Sequence, residues 1–352
     1  MKRLFFLLFA PMVVCGVLAL SASSCEKPEP EPEPTPTPTP ARVLARGADV
    51  SWLTQMEQEA CKFYTGDGKE MECLALLKTL GVNAIRLRVW VNPEGGWCDK
   101  DDVVVKAKRA VAAGMKVMID FHYSDSWADP GKQNKPAAWT KLTLSELADA
   151  VAAHTRDVLT ALKNAGVTPT WIQIGNETTG GMLWPTGQNY TDTGFHNYAE
   201  LHNAGYVAAK YVFPEAWVMV HIDKGEDKSQ VKWFFENCAK HGLQYDLAGL
   251  SLYPDNANWH QYVQQLIMNV NEIYNSYGKE TMVCEVGRKW TDGNTCANFL
   301  SGLLSACNAD MEGHCHGVFY WEPEAYQDWS HYDKAAFDNN GKPTAALYAF
   351  MH

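Results

Sequence analysis

Eight short β-prone runs limit what this chain can fold into. They fall at 46–50, 84–89, 116–122, 170–176, 217–222, 247–253, 281–286 and 317–321. Each is largely apolar and bounded by turn residues, the pattern of a parallel strand buried on both faces. Helical periodicity fills several of the gaps. The stretch 70–80 sets Met71, Leu74, Leu77 and Leu80 on one face, 101–113 and 144–165 behave likewise, and 207–212, 260–277 and 296–307 are weaker cases. Strands alternating with helices build a parallel sheet. No glycine-rich phosphate fingerprint follows a strand, so the pattern favours a single (β/α)8 TIM barrel of the α/β class over an open doubly wound sheet. With 352 residues, 46% of them hydrophobic, the chain can bury the core such a barrel needs. We see no internal repeat.

The barrel is expected to begin at residue 43. Before it, Lys2 and Arg3 precede an apolar run from Leu4 to Leu20, as in an export signal spanning 1–24. The small residues Ser21-Ala22-Ser23-Ser24 then lead to Cys25, which resembles a bacterial lipoprotein signal with Cys25 as the lipidated first residue of the mature chain. Cys15, inside the apolar run, is the weaker candidate, and plain secretion is the alternative. Residues 26–40 read EKPEPEPEPTPTPTP. Alternating proline blocks helix and sheet and favours an extended polyproline II spacer, so 25–42 is expected to be a lipid attachment site and linker. The expected location is the outer face of a bacterial outer membrane.

The formal charge of −11 and the lack of a basic stripe argue against nucleic acid as a partner. Neutral substrates are more compatible. The chain has 13 Trp and 15 Tyr, many beside strand ends, where flat rings can stack on sugars; core packing accounts for the others. Eight cysteines follow Cys25. In an oxidising compartment, pairing within the early cluster (Cys61, Cys73, Cys98) or the late one (Cys296, Cys307, Cys315) is open. Cys284, inside a strand, is expected to be a buried thiol. No paired CxxC spacing supports zinc.

Polar side chains gather at the strand ends: Asp49, Arg86, Arg88, His122, Asn176, Glu177, His221, Asp223, Tyr253, Glu285 and Trp321. Barrel enzymes place their active sites at the C-terminal ends of the strands. Taken singly, Arg86 reads equally as a salt-bridge partner and His122 as a core histidine. Two strand-end glutamates about a hundred residues apart, Glu177 and Glu285, fit glycoside cleavage. That chemistry needs one protonated and one ionised carboxyl group, about 5–5.5 Å apart when configuration is retained. Arg86 and Tyr253 are placed to keep Glu285 ionised, and Asn176 to donate to a sugar hydroxyl.

Seven ordered motifs carry a resemblance to the arabinogalactan endo-β-1,4-galactanases, glycoside hydrolase family 53, over residues 43 to 352. They are 47–52 (GADVSW), 81–93 (GVNAIRLRVWVNP), 120–130 (DFHYSDSWADP), 136–139 (PAAW), 173–185 (QIGNETTGGMLWP), 249–254 (GLSLYP) and 319–323 (FYWEP). The resemblance implies that Glu177 is the acid/base and Glu285 the nucleophile. It implies supporting or substrate-binding roles for Asp49, Arg86, His122, Asp125, Trp127, Asp129, Asn176, His221, Asp223, Tyr253 and Trp321. It also implies retaining endo-hydrolysis of the β-1,4-galactan side chains of pectin. Another β-1,4-polysaccharide, such as mannan or glucan, and non-catalytic surface glycan binding are the alternatives. The chain departs from the family pattern at Val286, where threonine is common, and in the short loop 287–295 (GRKWTDGNT), a region that in some bacterial members helps hold calcium. Asp292 and Asn294 are too few ligands for that ion, so no metal and no cofactor are expected, and a monomer is.

Overall fold

The computed structural model describes residues 43–254, 258–309 and 314–351. The expected signal (1–24) and linker (25–42), Cys25 included, lie outside the described residues. Eight parallel strands close into one barrel: β1 (Ala45–Asp49), β2 (Ala84–Val89), β3 (Lys116–Phe121), β4 (Trp171–Ile174), β5 (Trp217–Ile222), β6 (Leu247–Leu252), β7 (Glu280–Val286) and β8 (Cys315–Trp321). Each strand pairs with its neighbours in sequence, and β8 returns to β1, joining Ala45 to Gly317 and Asp49 to Trp321. The expected strands are all present, displaced by three residues or fewer at their ends.

Each strand is followed by a helix: α1 (Cys73–Thr79), α2 (Lys100–Ala112), α3 (Leu144–Asn164), α4 (Asp192–Val212), α5 (Lys228–His241), α6 (Trp259–Tyr277), α7 (Gly293–Ala309) and α8 (Ala345–Tyr348). Three of them correct the sequence reading: the single turn of α8 is not expected, and α4 and α5 differ as follows. Only the last turns of α4 are expected, because its buried face uses Gly194, Tyr198, His202 and Gly205 in place of an aliphatic stripe. Helix α5 is not expected at all, although Val231, Phe234, Phe235 and Cys238 recur at helical spacing and Asp227 caps its N-terminus. No helix of the described residues is long and apolar enough to cross a membrane.

The strands are buried on both faces. Outward residues such as Ile85, Leu87 and Val89 join the shell of helices. Inward residues Ala45, Ala84, Met118, Trp171, Met219, Leu247, Met282, Cys284 and Phe319 form a separate apolar plug to which every strand contributes. Cys284 is a buried thiol there, as expected. The early cysteine cluster does not pair: the Cys98 thiol instead lies 3.4 Å from the Ser51 carbonyl oxygen. In the late cluster Cys307 is in side-chain contact with Cys315, while Cys296 faces the Tyr320 hydroxyl at 3.7 Å.

Gly47 on β1 makes room for the ring of Phe319 in the plug. A β-carbon there would stand 2.1 Å from Phe319 Cδ1. Overpacking a filled core costs about 1–3 kcal/mol. Gly47→Ala is therefore expected to lose stability of that order in urea unfolding, and a second change, Phe319→Leu, to recover part of it. Parental stability in Gly47→Ala would show that Phe319 can move aside freely.

Candidate active site

Above the plug, the inward positions change from apolar to polar. On β2 the sequence Ala84-Ile85-Arg86-Leu87-Arg88 alternates, so Arg86 and Arg88 take inward positions that Ala84 begins. Arg86 is wholly buried and reaches four strands. Its Nη1 donates to Asp49 Oδ2 on β1 at 2.8 Å, and its Nη2 lies 2.9 Å from Asp120 Oδ2 on β3 and 2.9 Å from Glu285 Oε1 on β7. Nε and Nη2 also donate to Gln173 Oε1 on β4 at 3.2 and 3.1 Å, and Nη2 to Asn176 Oδ1 at 2.9 Å. Burial of this guanidinium is tolerable because its donors meet carboxylates and amide oxygens.

Glu177 and Glu285 line one pocket, with His122, Trp127, Asp129, Asn176, Tyr253 and Trp321. The structure therefore brings together eight of the thirteen residues expected at the site. Glu285 Oε2 accepts from the Tyr253 hydroxyl at 3.0 Å, while Glu177 Oε1 accepts from the Ser251 hydroxyl at 2.7 Å. Both carboxyl groups are pushed up by burial, and Glu177 goes well above the usual carboxylate range because the charges of Glu285 and Asp223 add to that burial. For Glu285, Arg86 directly opposes the effect of burial and Tyr253 assists. When the pair shares one proton, Glu177 is thus its holder. Asp120 stays below its usual range despite burial, because Arg86 and His122 outweigh it. Asp49 is pushed up to about 7 by burial and then by Glu322, against the pull of Arg86.

The other five expected residues do not line the pocket. Asp49, Arg86 and His221 are completely buried, Arg86 against Asp49 and Glu285, and His221 against the Glu177 amide and Ser251. Asp125 braces loops, accepting from the Asn92 amide at 3.0 Å and the Ala137 amide at 2.8 Å. Asp223 is engaged by Thr179 and accepts on its backbone carbonyl from Gln230 at 2.6 Å. Sequence reasoning assigned no role to Ser251, Gln173, Asp120, Tyr332 or Lys334. The first three stood inside motifs; Tyr332 and Lys334 line the pocket from a loop with no periodic signal.

The wall beside the carboxylates is aromatic. Trp127 packs edge-on against Trp52, Trp90 and Trp321 at 5.5, 5.2 and 5.8 Å between ring centroids, and Trp321 meets Tyr332 at 4.7 Å. Arg88 sits behind these rings, its guanidinium carbon 4.3 Å from the Trp127 centroid and 5.0 and 5.1 Å from Trp52 and Trp90. Glu322, fully buried, pairs with it. A caged cation of this kind stiffens a platform on which an apolar sugar face can lie.

Glu177 itself has φ +45° and ψ +53°. This left-handed conformation is costly for a residue with a β-carbon. It is held by the side chain of Gln133, which donates to the Asn176 carbonyl at 2.8 Å, and by His221, whose Nδ1 accepts from the Glu177 amide at 3.3 Å.

A closed eight-stranded barrel carrying two strand-end glutamates, Glu285 buried and Glu177 half-buried, beside an aromatic wall defines a glycoside hydrolase. Its family follows from comparison with known proteins. Residues 45–350 match the model of glycosyl hydrolase family 53, and the chain belongs to that family. It is similar to the arabinogalactan endo-beta-1,4-galactanase of Thermothelomyces thermophilus, at 30% identity over 87% of this chain and 98% of the relative. It is also similar to the endo-beta-1,4-galactanase of Bacillus subtilis (strain 168), at 32% identity over 79% of this chain and 69% of that one. Among solved structures, a fungal beta-1,4-galactanase superposes with a TM-score of 0.80 at 30% identity, covering 88% of this chain and 99% of its own.

Arg86 compensates several buried carboxylates at once, so its removal leaves them uncompensated, a change that costs about 3–5 kcal/mol. Arg86→Met is expected to lose stability of that order in urea unfolding. A variant as stable as the parent would show that the carboxylates simply take up protons.

Proposed function

We propose that this chain cuts internal β-1,4-galactosidic bonds in galactan and arabinogalactan, the side chains of pectin, with retention of configuration. The observation that carries the reading is the asymmetry of the glutamate pair in a family 53 barrel. Glu285 meets Arg86 and Tyr253, and Glu177 does not meet either in a direct contact. Glu285, the better stabilised as an anion, attacks the anomeric carbon. Glu177, the proton holder, protonates the departing glycosidic oxygen and then takes a proton from the incoming water. The names of the relatives support galactan as the polymer, and the aromatic wall supports a pyranose substrate. Asn176 donates to the Ala128 carbonyl at 2.8 Å, which orients its amide at the rim of the pocket. The chemistry is complete with two carboxyl groups, so the reading includes no metal. In the loop after β7, Asp292 has the Arg288 guanidinium 3.9 Å away, a poor setting for calcium.

The reading extends to location. Lys2-Arg3, the apolar run, Cys25 and the 15-residue proline-rich stretch at 26–40 support a barrel held off the cell surface by a lipid at Cys25. A polymer too large to enter the cell has to be cut outside it.

Glu177→Gln and Glu285→Gln are each expected to lower turnover on galactan at least about 100-fold with the fold unchanged, and early NMR of the parent's products to show the β anomer. Sugar release from mannan or cellulose but not galactan would move the activity to another polymer. No release from any of the three would leave glycan binding.

Cys25→Ala is expected to move the enzyme from the membrane fraction to the soluble one at unchanged specific activity. Retention of the variant in membranes, or protection of the parent from protease added to intact cells, would overturn the surface anchor.

A further inference from the structure

A run of hydrogen bonds connects Arg86, Gln173, His221 and Ser251 with Glu177. Arg86 can only donate. It donates through Nε and Nη2 to one atom of Gln173, which must be the amide oxygen. The Gln173 nitrogen has two hydrogens and four acceptors in reach, Asp120 Oδ1 at 2.5 Å, the Gly175 carbonyl at 3.0 Å, and Asn176 Oδ1 and His221 Nδ1 each at 3.1 Å. The Glu177 backbone amide, a donor only, points at the same Nδ1 from 3.3 Å. Asn176 Oδ1, 3.0 Å from that nitrogen, has donors of its own in Arg86 at 2.9 Å and Gln173 at 3.1 Å. With the backbone N–H aimed at it, Nδ1 is the bare nitrogen. The ring is neutral, since burial and then the charge of Arg86 hold it well below the usual histidine range.

The imidazole proton is therefore on Nε2, 2.9 Å from Ser251 Oγ. Ser251 accepts it and has one proton left to give, which goes to Glu177 Oε1 at 2.7 Å. Both Ser251 and His221 are buried, so water does not compete for these positions.

We propose that Ser251 is a positioning residue: as the last link of this one-way chain it keeps Glu177 Oε1 an acceptor and confines the acid proton to Oε2. The inference rests on Glu177 being the acid/base. Without Ser251 the proton is free to reside on either oxygen, and half of its placements are useless for protonating the glycosidic oxygen. Ser251 also stabilises the ionised carboxylate that forms when the proton leaves. Glu285, Asp223, Arg86, His221 and Tyr253 also act on Glu177 from the surrounding strands and loops, and of these His221 is bonded to Ser251 and loses its Nε2 partner in Ser251→Ala.

The test uses Ser251→Ala, Ser251→Thr and Glu177→Gln in the full-length protein. kcat/KM is measured against pH on galactan and on a dinitrophenyl β-galactoside oligomer, whose leaving group departs without a proton. For Ser251→Ala we expect a loss of roughly 10-fold or more on galactan, a fraction of the whole general-acid effect. The dinitrophenyl substrate should lose far less. The alkaline limb should move to higher pH, because a donor to the ionised carboxylate is gone. Ser251→Thr, which keeps the hydroxyl, should return both rate and limb towards the parent. An unchanged limb and galactan rate in Ser251→Ala would overturn the proposal, as would equal losses on the two substrates. An active Glu177→Gln enzyme would overturn the acid assignment itself. An inactive one beside an unaltered Ser251→Ala would remove only the role of Ser251.

Discussion

One buried guanidinium orders the polar half of this barrel. Arg86 is the point where β1, β2, β3, β4 and β7 exchange charge, through Asp49, Asp120, Gln173 and Glu285. Remove its charge from the account and the strand-end carboxylates repel one another in a medium that screens them poorly. With it in place, they acquire different tasks. Of the two glutamates, the one it touches stays ready to ionise, and the one it does not touch keeps the proton. Its hydrogen bonds also set the amide orientation of Gln173, while the Glu177 backbone amide sets the imidazole tautomer of His221 and, through it, a hydroxyl rotor.

A second cation does for shape what Arg86 does for charge. Arg88, two residues further along β2, is enclosed by Trp52, Trp90 and Trp127 and paired with Glu322. Both arginines leave the same strand toward the interior, one toward the carboxylates and the other behind the aromatic wall. The spacing of two along β2 is thus enough to place the paired carboxylates beside the aromatic wall.

How much of this was legible in the sequence varies with the physics of each element. The strands were plain because runs of four to seven largely apolar residues between turn residues are too short for typical helices. Helix α4 hid most of its length because glycine, tyrosine and histidine line its buried side. At the site, Glu177, Glu285, His122 and Tyr253 stood out as polar groups where an apolar run ends. Ser251 and Gln173 did not, being buried polar residues inside the strands themselves, whose partners lie far away in the chain: Ser251 meets Glu177 across 74 positions and Gln173 meets Arg86 across 87. The full burial of Asp49 and His221 was hidden for the same reason, since a strand-end position does not reveal which way the barrel's twist will aim a side chain.

The apolar plug of Met118, Met219, Met282, Trp171 and Phe319 gives the reaction centre a floor. With these side chains packed beneath them, the carboxylates are approached from the strand-end side of the barrel, where the aromatic wall stands. On the two-step reading proposed above, the departing half of the polymer and the incoming water would use that same side, so the order of the steps would follow from the order in which one vacates it and the other enters.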